Sequence, residues 1–240
     1  MKGKMILATM MVLGALEAKV AMTESALQAQ VTARLRDANF DSISVEVNDR
    51  TALLTGTVDR LAKADRAAQL ARKVDGLSGV LNHIEVRSAR TDSEIARGVT
   101  HEIRMYPFYD IFDLVNGEVK DGVVTLRGAV RLPQRFHDYE NLAKQVAGVK
   151  AVKNELEGLP TSAFDDQIRL RVARAIYGSS ALGFRYGNQA RPPIHIIVKN
   201  GNVRLEGVVA NQLDKTLAEQ AARFAATYFN LENNLRISNS

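Results

Sequence analysis

One strand pattern occurs three times in this chain, and it constrains the fold more than any other feature. Val123-Val124-Thr125-Leu126-Arg127-Gly128-Ala129-Val130 is the clearest copy, preceded by Ala52 to Val58 and followed by Val203 to Val209. Each copy places Leu two positions before a Gly and Val two after, with Thr55, Arg127 or Glu206 between Leu and Gly. Such alternation marks a strand with one buried face. In each copy the Gly precedes an Asn by 26 residues: Gly56 to Asn82, Gly128 to Asn154 and Gly207 to Asn233. Ala71, Ala143 and Ala222 each lie 15 after the same Gly. Three copies without an insertion or deletion over that interval identify one repeated supersecondary unit.

The flanking residues extend the unit. Leu27, Val31 and Leu35 recur at helical spacing, as do Ile95, Val99 and Ile103, and Ile168, Val172 and Ile176. A first strand follows in each copy, carrying Ile43, Val45 and Val47, then Val115, Gly117 and Val119, then Ile194, Ile196 and Val198. Asn48-Asp49-Arg50, Lys120-Asp121-Gly122 and Asn200-Gly201 turn the chain into the repeated strand. A second helix and a third strand complete the unit; in the last copy Leu231 to Ile237 closes the sheet. A tight hairpin makes the first two strands antiparallel, and the helical crossover brings the third in parallel. The predicted fold class is therefore α+β. It comprises three tandem helix–strand–strand–helix–strand modules, each a three-stranded mixed sheet with two helices on one face. Their expected bounds are residues 24–88, 92–158 and 164–238. Strand parity puts Gly56, Gly128 and Gly207 on the inner face, where a missing side chain is expected to let a helix approach closely. Asn82, Asn154 and Asn233 share the parity of apolar neighbours and are expected to tie down a backbone turn.

Modules of about 65–75 residues lie near the lower size limit for folding without staples. The chain has no Cys, so no module is disulfide-stapled; mutual support or a partner is expected. Residues 1–21 read as a signal peptide, with Lys2 and Lys4 ahead of the apolar run Met5 to Leu16, which is short for a bilayer span. Loss of residues 1–18 would remove Lys2, Lys4 and Glu17 and take the formal charge from +5 to +4. That mildly basic balance singles out no partner.

The module order, with Leu-x-Gly-x-Val before the second helix and Val-x-Asn-x-Leu or its variants in the last strand, resembles the BON domain, the family named for bacterial OsmY and nodulation proteins. Its motifs stand at Leu54 to Val58 with Val80 to Ile84, Leu126 to Val130 with Val152 to Leu156, and Leu205 to Val209 with Leu231 to Leu235. Thr227 departs from the pattern by replacing the Gly that ends the second helix elsewhere. The resemblance implies an exported or periplasmic protein, often stress-associated, that binds phospholipid membranes and has no catalytic chemistry.

Loop length separates the modules. Leu35 to Ile43 is an offset of 8, whereas Ile103 to Val115 is 12 and Ile176 to Ile194 is 18. These insertions hold Tyr106, Phe108, Tyr109, Phe112, Tyr177, Phe184 and Tyr186, seven of the 14 aromatic residues, together with Arg185 and Arg191. Aromatic side chains beside arginine suit a bilayer interface or a protein surface; they equally suit packing between modules. These nine residues are the candidate lipid- or partner-binding set. The expected partners are peripheral membrane phospholipid or an envelope protein, with homo-oligomerisation open. The four His occupy non-equivalent positions and no His-Glu-x-x-His occurs, so neither a metal nor another cofactor is implied. Gly76-Leu77-Ser78-Gly79 has the outline of a nucleotide-clamping loop, but it lacks basic residues and changes in the second copy, so nucleic acid is not an expected partner. Asp165 and Asp166 open a helix, where carboxylates complement the N-terminus.

Overall fold

The computed structural model describes residues 22–238. The signal-peptide reading lies outside the described residues. Module 1 comprises α1 (Glu24–Asp37), β1 (Ile43–Asn48), β2 (Thr51–Val58), α2 (Leu61–Ala71) and β3 (Gly79–Val86). Module 2 comprises α3 (Asp92–Met105), β4 (Leu114–Lys120), β5 (Val123–Val130), α4 (Phe136–Lys144) entered through a 3-10 turn at Pro133–Arg135, and β6 (Ala151–Gly158). Module 3 comprises α5 (Ala163–Tyr177), a short α6 (Ser180–Leu182) running into a π turn at Gly183–Gly187, β7 (Ile194–Lys199), β8 (Asn202–Val209), α7 (Gln212–Ala225), β9 (Asn230–Asn233) and β10 (Arg236–Ile237).

Each sheet is mixed. β1 pairs antiparallel with β2, which pairs parallel with β3, and β4-β5-β6 repeats that order. In module 3 the third strand is broken: β9 and β10 both run parallel to β8, with Asn234 and Leu235 between them. The helix stripes form three separate cores, each closed by alanines of the second helix such as Ala71, Ala143 and Ala222.

The repeated residues have definite tasks. In all three modules the Asn of the last strand donates to a carbonyl in the first turn of the second helix: Asn82 to Ala64 at 3.3 Å, Asn154 to Phe136 at 3.0 Å and Asn233 to Lys215 at 3.1 Å. The amide oxygen meanwhile accepts from the backbone two residues on, at Ile84, Leu156 and Leu235. A single side chain thus fixes the helix against the strand edge. The opening acid of each module clamps the hairpin turn at the other end. Glu24 accepts from Asp49 N–H at 2.6 Å, Asp92 from Asp121 and Gly122 at 2.7 and 2.9 Å, and Asp165 from Asn200 and Gly201 at 2.9 and 2.8 Å. Asp165 is therefore a buried turn clamp, a role more specific than helix-dipole compensation.

The glycines of the repeated strand serve a different purpose from the one parity suggests. Gly56, Gly128 and Gly207 have φ of +132°, +134° and +123°, a region closed to L side chains. A Cβ there would lie 2.2 Å from Ser42 O, 1.9 Å from Leu114 O and 1.9 Å from Pro193 O. The close neighbour is the backbone entering the first strand, and no helix is involved. Alternation reveals which face a residue occupies but not its φ.

Candidate functional site

The two long insertions occupy equivalent places, sealing the end of the module where the repeated strand passes into the second helix. In module 2, Asp113 is fully buried and accepts three hydrogen bonds: Arg131 N–H at 2.8 Å, the Arg135 guanidinium at 2.9 Å and the Tyr139 hydroxyl at 2.9 Å. In module 3 the Tyr186 hydroxyl accepts from Ala210 N–H at 2.8 Å and donates to Asp214 at 2.6 Å, while Arg185 pairs with the same carboxylate. Arg131 and Ala210 both lie three residues after the repeated Gly, and Arg135 and Asp214 both lie seven after it. The ion pair is thus reversed between modules: the insertion supplies the acid in module 2 and the base in module 3. Module 1 has no insertion, and its residue at this place, Lys63, pairs with Asp59 instead.

These contacts decide where the nine candidate residues go. Tyr106 donates to Asp138 at 2.5 Å and stacks edge-on against Tyr139, whose ring Tyr109 also meets edge-on. Burial pushes the hydroxyls of Tyr106 and Tyr109 up to about 12, and that of Tyr139 beyond the range of ordinary titration. Phe112, with Ile111, packs against the core of module 3. Tyr177 donates to Ile194 O at 2.6 Å and accepts from Ile194 N–H at 3.0 Å, so it pins the start of β7. Arg191 reaches back to module 2 and donates to the carbonyls of Arg104 at 2.5 Å and Tyr106 at 3.2 Å. Phe108 and Phe184 alone among the nine extend a large apolar surface into solvent, 60% and 84% exposed. Arg185 is half exposed but engaged with Asp214.

The module 2 insertion also joins two modules. Ile196 N–H of β7 donates to Ile111 O at 2.7 Å, so the insertion occupies the free edge of that strand. Ala129, Leu159 and Ile197 form a small apolar cluster across the junction, and His195 lies beneath the Tyr109 ring at 5.4 Å. Burial lowers the His195 pKa from its ordinary value, favouring the neutral ring. Modules 1 and 2 meet through Gly148 N–H to Asp59 O at 2.9 Å and Lys144 to Asp65 at 3.0 Å.

A second exposed apolar set lies at the hairpin end of module 3. Phe164 begins α5, Phe224 ends α7 and Phe229 precedes β9, with exposures of 49%, 85% and 81%. Phe229 N–H bonds Gly201 O at 2.8 Å. A Cβ on Gly201 would lie 2.8 Å from the Phe229 ring and 3.3 Å from that of Phe164, so both rings flank the turn. A signal for this set was available in the repeat. Counting from the central Gly, Phe224 aligns with Lys73 and Gln145, and Phe229 with Ser78 and Lys150. Three phenylalanines at one end of one module are a departure from the repeat and are not required by its core.

Among the described residues no group of His, Asp or Glu is disposed to hold a metal ion, and no helix is long and apolar enough to cross a membrane.

Comparison with known proteins assigns the modules to a family. The family model described as BON domain matches residues 23–88, 91–160 and 165–239. The chain is 35% identical over 148 residues to Osmotically-inducible protein Y of Escherichia coli (strain K12), a match covering 57% of this chain and 73% of that protein. Among solved structures, CdsD, a structural protein of the type III secretion system of Chlamydia trachomatis, aligns at 13% identity and a TM-score of 0.25, covering 89% of this chain and 93% of that one.

Proposed function

Because the chain belongs to the BON domain family and carries three copies of the domain, we propose that it is an exported, non-enzymatic cell-envelope protein that attaches peripherally to anionic phospholipid surfaces under osmotic or envelope stress. The observation that carries this reading is the exposure of Phe164 and Phe229 beside the Asn200–Gly201 turn, and of Phe224 in the last turn of α7. Two of the three rings are more than four-fifths exposed, so they protrude from the module and do not line a groove. Protruding aromatic rings suit the headgroup–acyl boundary, where apolar surface is covered without a shaped partner. Phe108 and Phe184 supply further contacts from the insertions. A basic chain adds attraction to anionic headgroups, each residue near the surface contributing about 1 kcal/mol. Three modules on one chain raise avidity where single contacts are weak. Similarity to an osmotically inducible protein supports the stress context.

Flotation of residues 22–240 with vesicles tests this reading; the fragment omits the apolar run Met5 to Leu16, so that any flotation comes from the three modules. Co-flotation with phosphatidylglycerol-containing vesicles is expected, weaker with phosphatidylcholine alone and weaker at high salt. Replacing Phe164, Phe224 and Phe229 with Ser should abolish it, while Phe108→Ser with Phe184→Ser should reduce it. The first set touches no buried hydrogen-bond network, so its circular dichroism should be unchanged; the Phe108 ring packs against Tyr106 and Arg135, so the second set is also checked by its urea midpoint. Undiminished flotation of both variants would remove the phenylalanines from the account, and failure of the unaltered fragment to float would favour a scaffold that binds envelope proteins.

A further inference from the structure

The junction of modules 2 and 3 encloses a cleft of about 820 Å³, within the range of small-molecule sites. One wall is the free edge of β4 with the end of α3; the other is formed by residues 189–193 and the outer face of β7 and β8. Its charged lining is uneven. Arg104, Arg191 and Arg236 face the cleft together with Asp110, Glu206 and His195. Both acids are engaged by arginines that do not line it: Asp110 faces Arg131 and Arg135 at 3.6 Å, and Glu206 takes Arg204 at 2.9 Å. Asn234 donates to Glu206 as well. The three lining arginines have no carboxylate within 4 Å among the described residues. Arg191 spends its hydrogen bonds on carbonyls, which leave its charge uncompensated, and the guanidinium groups of Arg104 and Arg236 make no hydrogen bond among the described residues. Burial lowers the His195 pKa, so the positive charge of the cleft rests on the arginines and not on the imidazole.

We propose that this cleft is a binding site for a small organic phosphate, with Arg104 and Arg236 as the phosphate clamp and Arg191 as a fixed positive charge behind them. Guanidinium groups match phosphate oxygens in paired hydrogen bonds. Val115, Ile111 and Pro193 give the cleft an apolar side, which suits an ester carrying carbon and not the bare ion. The cleft lies at the opposite end of module 3 from Phe164, Phe224 and Phe229, so phosphate binding there is tested independently of the membrane contact made by those three rings.

Calorimetric titration of the chain with glycerol 3-phosphate, with uncharged glycerol, and with short-chain phosphatidylglycerol below its micellar concentration tests the assignment. Binding of glycerol 3-phosphate but not glycerol is expected for a soluble phosphate ester. Binding of the short-chain lipid alone would identify the same clamp as a headgroup site. In either case Arg104→Gln with Arg236→Gln should weaken binding at least about tenfold, the scale of losing charged hydrogen bonds. Both side chains are at the surface, and Arg191 is left intact because it staples the insertion. Absence of heat with both phosphates, or equal affinity in the double variant, would overturn the proposal.

Discussion

Replacement of Asp113 by Ala should be among the most damaging single changes in the chain, because one buried carboxylate satisfies three donors. Its loss leaves the Tyr139 hydroxyl and Arg131 N–H without acceptors in an enclosed site. Each such orphan costs about 1–3 kcal/mol. Arg135 suffers less, since it keeps Phe108 O at 2.6 Å and Asp110 at 3.6 Å. The two orphans together cost about 2–6 kcal/mol, a range that brackets the roughly 3–5 kcal/mol usual for breaking a buried ion pair and is a large share of a domain's stability. Urea unfolding followed by circular dichroism measures it. Tyr139→Phe should cost less in the Asp113→Ala background than in the unaltered chain, with a coupling of about 1–2 kcal/mol. The same loop delivers Ile111 O to β7, so hydrogen exchange at Ile196 N–H should also accelerate. A loss below about 1 kcal/mol, or strict additivity of the two substitutions, would refute the view that Asp113 organises the insertion.

Two further changes probe the repeat and the junction. Gly128→Ala forces a Cβ to 1.9 Å from Leu114 O at φ +134° and should cost about 3 kcal/mol or more in the same urea assay; a loss under about 1 kcal/mol would mean that the strand can shift to make room. His195 sets a pH dependence. Its folded pKa lies below 6.5, so the unfolded chain binds the proton first. Its contribution is therefore whole above about pH 6.5 and is lost as pH falls from there towards the folded value. Melting temperatures between pH 7.5 and 5 should fall less steeply in His195→Gln than in the unaltered chain; equal slopes would mean that His195 is not held neutral by the junction.

Residue alternation and helical spacing made the module order legible, because each half-buried strand and helix must show its apolar face regularly. Strand pairing followed from turn length and crossover handedness. What stayed hidden was set by tertiary contact. Tyr106, Tyr109 and Phe112 have the composition of an external binding loop, yet Asp138, Tyr139 and the module 3 core take them up. Sequence does not distinguish an aromatic ring that meets lipid from one that meets the next module. The partners of Asp113 are likewise 18, 22 and 26 residues away; they stand four apart on their own segment, but nothing in the sequence connects that segment to Asp113. The break in the last strand at Asn234 and Leu235 also escaped the apolar pattern, which runs through it. Phe224 and Phe229 were detectable, but only by asking what departs from the repeat.

The chain contains no Trp, so a single tryptophan reports without background on the claim that the hairpin end of module 3 meets the membrane. Phe229→Trp keeps a large aromatic ring at a position that is 81% exposed. With phosphatidylglycerol vesicles its emission should shift to the blue and be quenched by bromine placed on the acyl chains, and high salt should reverse both changes. Emission that stays at its aqueous wavelength, unquenched while the protein co-floats, would place the membrane contact elsewhere and contradict the account.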